Sequence, residues 1–296
     1  MKNKILFSTL VILCIILIIY LIYNNIIKEN FLSTKYILVS HLKGGLANRI
    51  FMIMAGLSFA EKWNMDYYFL DSEIKNDYHT DKETITNELK LLFPDIKFLD
   101  NSIDKSNWKK IKEKNEDVSN IKNIDTNVIL YGYFQNDESN FYNYKLKFPE
   151  PNDNIFKIKD INNLFFIHFR FGDFVGTPRE FNLVGYYKYC INHIKQKKKD
   201  PSFFLITNDI EVTKKYIKSN NLLNDNEYII DQSKNRLDTL YYISECKGGI
   251  CSNSTFSRIG AYFSKNRNKD LIYYPVKNNS NLSNQYLSWL INIVID

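Results

Sequence analysis

Apolar runs of strand length alternate with longer stretches of helical periodicity from residue 36 onward. Repeated strand–helix units of this kind are typical of a parallel sheet covered by helices. In the first half of the chain the pattern predicts strands at residues 36–41, 67–70 and 128–131, and helices at residues 48–63, 83–93 and 106–114. The predicted fold class is therefore α/β.

The second half of the chain is more regular than the first. Strands are predicted at residues 164–169, 203–207, 227–230, 249–251 and 271–274. Helices are predicted at residues 184–197, 210–218, 236–246 and 255–265. This alternation of strands and helices predicts a doubly wound, Rossmann-like unit.

A polar segment separates the two halves. Residues 148–163 contain two prolines and several Asp and Asn residues, a composition typical of a linker. We therefore expect one unit at residues 36–150 and a second unit at residues 151–296.

An uncharged segment rich in Ile and Leu runs from Ile5 to Tyr23. At a rise of about 1.5 Å per residue, its length nearly crosses the roughly 30 Å hydrocarbon core of a bilayer. A cleaved signal peptide is the alternative, but its apolar region is usually shorter. We expect a cytoplasmic tail at residues 1–4, a membrane anchor at residues 5–25 and a stem at residues 26–35. The lysines before the anchor favour a single-pass type II orientation.

The composition indicates a folded protein. The chain of 296 residues is 45% hydrophobic and 24% charged, which suffices for a buried core and argues against disorder. Its net charge of +6 comes from scattered lysines, with one basic run at residues 195–199. A solvated helix end explains this run better than a nucleic-acid site, so no nucleic-acid partner is predicted.

The cysteines leave a disulfide open. Cys14 lies in the expected anchor, and Cys190, Cys246 and Cys251 lie in the second half. Cys246 and Cys251 could form a bridge, but they equally suit a helix end and a buried strand. We favour the unbridged state.

Polar residues follow several predicted strands, at the sheet edge where α/β proteins bind ligands. The first segment is a turn with Gly44 and Gly45, which permit close backbone approach before a helix start that suits an anion. The second segment leads from an apolar strand into His168, Arg170 and Asp173. A plain turn and a solvated strand end are the respective alternatives. We expect the chemistry at the second segment.

Two further segments combine helix capping with ligand-binding chemistry. Asp209 closes a buried strand and precedes a helix, so an N-cap is favoured over a ligand contact. Ser254 and Thr255 begin a helix in a hydroxyl-rich turn that suits a phosphate, although simple capping explains either residue equally well. The sequence has no D-x-D motif and no cluster of His and Cys residues, so no metal site is predicted.

Five motifs together resemble the glycosyltransferase family of α-1,2-fucosyltransferases. They are GGLANRIF at residues 44–51, GYFQ at 132–135, HFRFGDF at 168–174, TND at 207–209, and NSTFS at 253–257 followed by Gly-Ala at 260–261. In order, they are similar to the family's GGLGNQ, GYFQ, HxRRGDY, SDD and NSSFS segments. Each motif alone is modest, but five in this order are specific.

The resemblance implies a GT-B architecture, in which two Rossmann-like domains face a cleft. One N-terminal transmembrane helix would precede the two domains in the chain. The first domain would take the acceptor and the second the nucleotide sugar. It implies inverting transfer of L-fucose from GDP-fucose to the 2-hydroxyl of a galactoside, with no metal and no cofactor beyond this donor substrate. The expected partners are GDP-fucose, a galactose-terminated glycan, and the Golgi or another secretory-pathway membrane, with the catalytic part lumenal.

Site residues of the second domain also follow from the resemblance. Arg170 would hold the β-phosphate of the leaving diphosphate, and Ser254 and Thr255 would hold phosphate oxygens. His168 and Asp209 match positions that help to recognise guanine in related fucosyltransferases.

The first domain would contribute Gly44, Gly45, Asn48 and Arg49, of which Asn48 and Arg49 would face the cleft. Arg49 itself stands where the family has glutamine. The turn would then bring a cation to the donor site.

The chain departs from the family at two further positions. Phe171 replaces the second arginine, and Arg258 replaces the first of two paired tryptophans. We expect Arg49 or Arg258 to supply part of the missing positive charge. As the general base, Asp173 and Glu180 are the candidates, although structural roles are favoured for both.

Two other functions stay open. A GT-B transferase that uses a different nucleotide sugar or linkage would accommodate the altered positions. A sugar-binding membrane protein without catalytic activity is suggested by Phe171, but the retention of His168, Arg170 and Asp209 argues against it. The acceptor glycan is not identified by any pattern in the chain.

Overall fold

The structure is a computed structural model that describes residues 35–77, 80–113, 121, 124–135, 144–151, 160–171, 182–233, 235–265, 271–277 and 290–295. The expected membrane anchor and two candidate catalytic residues, Asp173 and Glu180, lie outside the described residues. Within these ranges, no helix has the length and apolarity needed to cross a membrane.

A parallel sheet forms the centre of the first half. Its strands are ordered β2–β1–β6–β5, with β1 at Ile37–Ser40, β2 at Asp66–Tyr67, β5 at Lys109–Lys112 and β6 at Val128–Tyr131. Two short strands, β3 at Phe69–Leu70 and β4 at Phe98–Leu99, pair separately. Helix α1 (Leu46–Lys62) packs on the main sheet, and helix α2 spans Lys82–Leu92.

The predicted helix at residues 106–114 is wrong, because strand β5 occupies Lys109–Lys112. Ile111 is buried and the lysines on either side of it are exposed, which is the alternation of an edge strand. Every residue of β5 pairs with β6. Tertiary pairing therefore overrides the helical preference of a lysine-rich segment.

The second half contains a parallel sheet of six described strands in the order β12–β11–β10–β7–β8–β9. They are β7 at Phe165–Phe169, β8 at Phe203–Thr207, β9 at Tyr228–Ile230, β10 at Gly248–Ile250, β11 at Ile272–Lys277 and β12 at Ile291–Ile295. Counted from β7, this is the 3-2-1-4-5-6 order of a Rossmann fold. Strand β12 was not predicted from the sequence.

Four helices of the described ranges accompany these strands: α3 at Val184–Lys197, α4 at Ile210–Ser219, α5 at Arg236–Glu245 and α6 at Thr255–Tyr262. Short polar side chains accept backbone N–H groups at the starts of α2, α4, α5 and α6, as expected for N-caps; they are Asp81, Asp209, Asn235 and Ser254. The predicted α/β fold with parallel sheets is confirmed, and the arrangement is consistent with a GT-B-like protein.

The largest hydrophobic cluster contains side chains from both halves of the chain. Phe51 of α1 belongs to it together with Phe204 of β8 and Ile259 of α6. Polar contacts join the halves as well, since the Arg236 guanidinium binds the Glu88 carboxylate. Helix α1 therefore meets helix α6 directly, which fixes the motifs at their N-termini relative to one another. The domain boundary at residue 150 stays a prediction.

Cys190, Cys246 and Cys251 are buried and free, so the possible bridge between the last two is not formed. Burial raises the pKa of the Cys251 thiol to about 12. These thiols are protonated core residues at neutral pH.

Candidate functional site

The candidate site lies where strands β7 and β10 end. These strands are neighbours, and the chain order on the two sides of this pair runs in opposite directions. Ligands of open α/β sheets bind at such switch points, beyond the carboxyl ends of the strands. Arg170 leaves β7 at this edge and is half-buried, and Ser254 caps α6 four residues beyond β10.

His168 is the last but one residue of β7 and is almost entirely buried. Its Nδ1 atom lies 2.9 Å from the hydroxyl of Ser257 and 3.0 Å from that of Ser252. Burial, together with the charge of Arg170, lowers the pKa of His168 to about 3. The neutral imidazole thus ties the turn after β10 to β7, and its part in guanine recognition stays a prediction.

The backbone after Arg170 is held by Asn208. The Phe171 N–H donates to the Asn208 side-chain oxygen at 2.9 Å, and the Asn208 amide donates to the Phe171 carbonyl at 2.7 Å. The Phe171 ring lies 6.2 Å from the Phe169 ring and 5.3 Å from the Tyr216 ring of α4. An aromatic side chain at this position therefore extends the core between β7 and α4.

Asp209 caps helix α4. Its Oδ1 atom accepts the Val212 N–H at 3.0 Å, and its own N–H donates to the Thr207 hydroxyl at 3.0 Å. The N-cap favoured from the sequence is therefore present. Asp209 is also exposed, so the cap leaves the carboxylate accessible to a ligand.

The start of α6 meets the first half of the chain. The Ser254 side chain accepts the Phe256 N–H at 3.3 Å, and the Thr255 hydroxyl donates to the Asn48 amide oxygen at 2.8 Å. The same oxygen accepts a hydrogen bond from the Gln135 amide at 2.9 Å. Three of the sequence motifs, at residues 44–51, 132–135 and 253–257, therefore meet at Asn48.

The glycine turn is shaped around Asn48. Gly44 has a φ of 73°, and a Cβ atom there would lie 2.9 Å from the Asn48 Nδ2 atom. A left-handed backbone and this close approach both favour glycine. Gly45, in contrast, has open space around it.

Arg49 does not face the cleft as expected. It is fully buried, and its guanidinium donates to the backbone carbonyls of Gly44 at 2.7 Å, Leu42 at 3.1 Å and Lys75 at 2.6 Å. Burial lowers its pKa to about 10, so it remains a cation at neutral pH. Arg49 stabilises the glycine turn through these carbonyls, because its donors are directed into the protein.

Arg258 is likewise buried, on α6. Its guanidinium lies 4.6 Å from the centre of the Phe51 ring and donates to the carbonyl of Gln135. Its Nε atom has no hydrogen-bond partner among the described residues. This placement joins the two halves, and a contribution of Arg258 to phosphate binding stays a prediction.

Glu113 has a role that the sequence did not reveal. Its carboxylate accepts the N–H groups of Tyr133 at 2.8 Å and Phe134 at 3.0 Å, which holds the turn after β6. Phe134 has a φ of 51°, an unusual conformation for a bulky residue. Glu113 was not predicted as a site residue because residues 106–114 were interpreted as a helix. As a strand, this segment places Glu113 directly after β5, at the end of the sheet.

No group of three or more His, Cys, Asp and Glu side chains within the described ranges could hold a metal ion. Asp173 and Glu180, the candidate bases, have no described structure. The described site therefore consists of Arg170, the start of α6 and the two turns that meet at Asn48.

Comparison with curated protein sequences gave no match. A family model described as glycosyl transferase family 11 matches residues 42–292, a range that contains both turns, the β7 edge and the start of α6. The motifs that this structure brings together are thus distributed over the whole matched range. The chain belongs to glycosyl transferase family 11, the family of α-1,2-fucosyltransferases, and this membership implies a fucosyltransferase.

Proposed function

We propose that the protein transfers L-fucose from GDP-fucose to the 2-hydroxyl of a galactoside, with inversion and without a metal ion. The observation that carries this proposal is the position of Arg170 and the α6 start on one edge of adjacent strands. A cation and a helix N-terminus at one edge suit a diphosphate, whose charge grows as it leaves. Family membership adds the expectation of a fucosyl donor.

Arg170 would bind the β-phosphate, because a guanidinium matches phosphate oxygens with two parallel hydrogen bonds. The first backbone N–H groups of α6 would face the same diphosphate, together with Ser254 and Thr255. His168 and Asp209 would support recognition of the guanine. Asp173 and Glu180 are the candidates for the general base that takes the proton of the acceptor.

We also propose that residues 5–25 anchor the protein as a single-pass type II membrane protein of the secretory pathway, with the catalytic part lumenal. The uncharged stretch from Ile5 to Tyr23 supports this. Protease protection in sealed microsomes tests it. Complete digestion of residues 36–296 without detergent would contradict a lumenal position.

The full chain, purified in detergent, can be incubated with radiolabelled GDP-fucose and lactose in excess EDTA. We expect a fucosylated trisaccharide whose new bond is assigned to the galactose 2-position by NMR. The Arg170→Ala variant is the matched control and should form far less product. Transfer only from another nucleotide sugar, or binding of GDP-fucose without turnover, would contradict the proposal.

A further inference from the structure

A group of titratable side chains lies at the end of β1, outside the donor site. His41 follows this strand, and its Nδ1 atom lies 2.8 Å from a carboxylate oxygen of Glu73. The other oxygen of Glu73 accepts a hydrogen bond from the Lys105 ammonium at 2.7 Å. Glu73 is buried, while the His41 side chain is 18% exposed. The carboxylate is thus held inside, and the imidazole reaches the surface.

This group lies at the carboxyl ends of two adjacent parallel strands of the first sheet. The His41 ring stacks on the Tyr131 ring at 4.7 Å; Tyr131 is the last residue of β6, and His41 directly follows the neighbouring strand β1. The turns that follow the two strands continue to Asn48 and Gln135, which contact each other, and Asn48 binds Thr255 of the second half. His41 therefore lies on the edge of the first sheet from which both turns extend toward the donor site.

The hydrogen bond to Glu73 sets the tautomer of His41. Burial alone raises the pKa of Glu73, but the hydrogen bonds from Lys105 and His41 outweigh it and hold the pKa below its ordinary value. An ionised Glu73 accepts from Nδ1, so Nδ1 carries the proton and Nε2 presents its lone pair. A carboxylate that orients an imidazole in this way is a recurrent arrangement for general-base catalysis.

We propose that His41 is the general base of the transfer, with Glu73 as its positioning residue. This inference rests on the proposed function and assigns the step that it left open. Nε2 takes the proton of the acceptor hydroxyl while that oxygen forms a bond to the anomeric carbon of the sugar. The bond from this carbon to the diphosphate breaks, and its electron pair leaves on the phosphate oxygen near Arg170. His41 then releases the proton to water.

The test compares full-length variants with transfer and GDP affinity as separate readouts. His41→Gln should lower kcat by roughly 10²–10⁴-fold, the usual contribution of a general base. Its affinity for GDP, measured by calorimetry, should stay within about twofold, because the donor site lies on the second sheet. His41→Phe keeps an aromatic ring against Tyr131 and should lose activity equally, which separates base catalysis from stacking.

The pH profile supplies a readout that a purely structural role would not change. Glu73 and Tyr131 contact His41 directly, and the Lys105 ammonium contacts the other oxygen of Glu73. In wild type, kcat should fall at acid pH, because a protonated general base cannot accept the proton of the acceptor hydroxyl. Glu73→Gln replaces the carboxylate that orients the imidazole through Nδ1, so kcat should fall while the affinity for GDP stays within about twofold. His41→Gln should lack this fall of kcat at acid pH.

Several outcomes would overturn the inference. An unchanged kcat and an unchanged fall at acid pH in His41→Gln would exclude His41 as the base, and an unchanged kcat in Glu73→Gln would exclude Glu73 as its positioning residue. If Asp173→Asn or Glu180→Gln loses the fall of kcat at acid pH while His41→Gln keeps it, the base is one of the residues that follow β7 in the chain. If wild type forms no fucosylated product, the proposed function itself is wrong. A product made equally by wild type and His41→Gln refutes this inference alone.

Discussion

The hydroxyl of Thr255 donates to the amide oxygen of Asn48 across 2.8 Å, although the two residues are 207 positions apart in the chain. This bond joins the start of helix α6 in the second half to the start of helix α1 in the first. The Gln135 amide shares the same acceptor. A single side chain therefore connects the glycine turn, the turn after β6 and the start of α6.

Replacement of Asn48 should loosen all three segments at once. Asn48→Ala leaves the Gln135 amide and the Thr255 hydroxyl without their shared acceptor, at a cost of about 1–3 kcal/mol. We expect a lower free energy of unfolding in urea and a lower kcat/KM. Asn87→Ala, at an exposed position on α2, is the matched control and should stay within about 0.5 kcal/mol of wild type. Equal stability of the two variants would contradict the connecting role.

Arg170 should act mainly on the chemical step. Its removal should lower kcat by roughly 10²–10³-fold, which corresponds to about 2.7–4 kcal/mol of lost stabilisation of the departing diphosphate. Arg170→Lys keeps a charge but loses the bidentate geometry and should be intermediate. Steady-state kinetics with varied GDP-fucose checks this. A change confined to KM would indicate ground-state binding instead.

Phe171 is predicted to be a packing residue. Phe171→Ala removes ring contacts with Phe169 and Tyr216 and should lower the free energy of unfolding by roughly 1–3 kcal/mol. Phe171→Tyr keeps the ring and should be near neutral. Both variants should retain kcat within a few-fold at a temperature where they are folded. A large loss of kcat in folded Phe171→Tyr would show that this ring acts in the site.

The buried His168 predicts a stability that depends on pH. Its pKa in the folded protein is about 3, below the value of about 6.5 for an exposed histidine, so the unfolded chain binds more protons between these values. The contribution of the neutral His168 to the free energy of unfolding is complete above about pH 6.5. It is lost as the pH falls, by up to about 1.4 kcal/mol per pH unit. Urea unfolding of wild type and His168→Gln between pH 4 and 7 measures this. An equally steep slope in the variant would contradict it.

Much of the fold followed from local patterns. Strand β7 and helix α6 were predicted close to their observed bounds. A continuous apolar run marks a buried central strand, and regularly spaced apolar residues mark the buried face of a helix. Strand β5 was not predicted as a strand, because a single apolar residue between lysines gives no clear strand or helix pattern. Strand β12 was missed as well, although Ile291–Ile295 is an apolar run of strand length that pairs with β11.

The candidate site was predicted in part. Ser254 and Asp209 are N-caps, as the sequence allowed, and Arg170 lies at the expected sheet edge. Arg49 was expected in the cleft, but its three contacts to backbone carbonyls direct it inward. The pairing of His41 with Glu73 had no sequence signal, because the two residues belong to different segments and are 32 positions apart.

The sequence by itself determined most of the strands and helices, with β5 and β12 as exceptions, and it placed the polar motifs at strand ends. Local periodicity and capping suffice for this, since they act over a few residues. Only the tertiary structure decided which polar side chains meet. The order of strands in each sheet brings β1 beside β6 and β7 beside β10, and burial then forces each enclosed polar group to find a partner. Those partners are remote in sequence, so no local pattern records them.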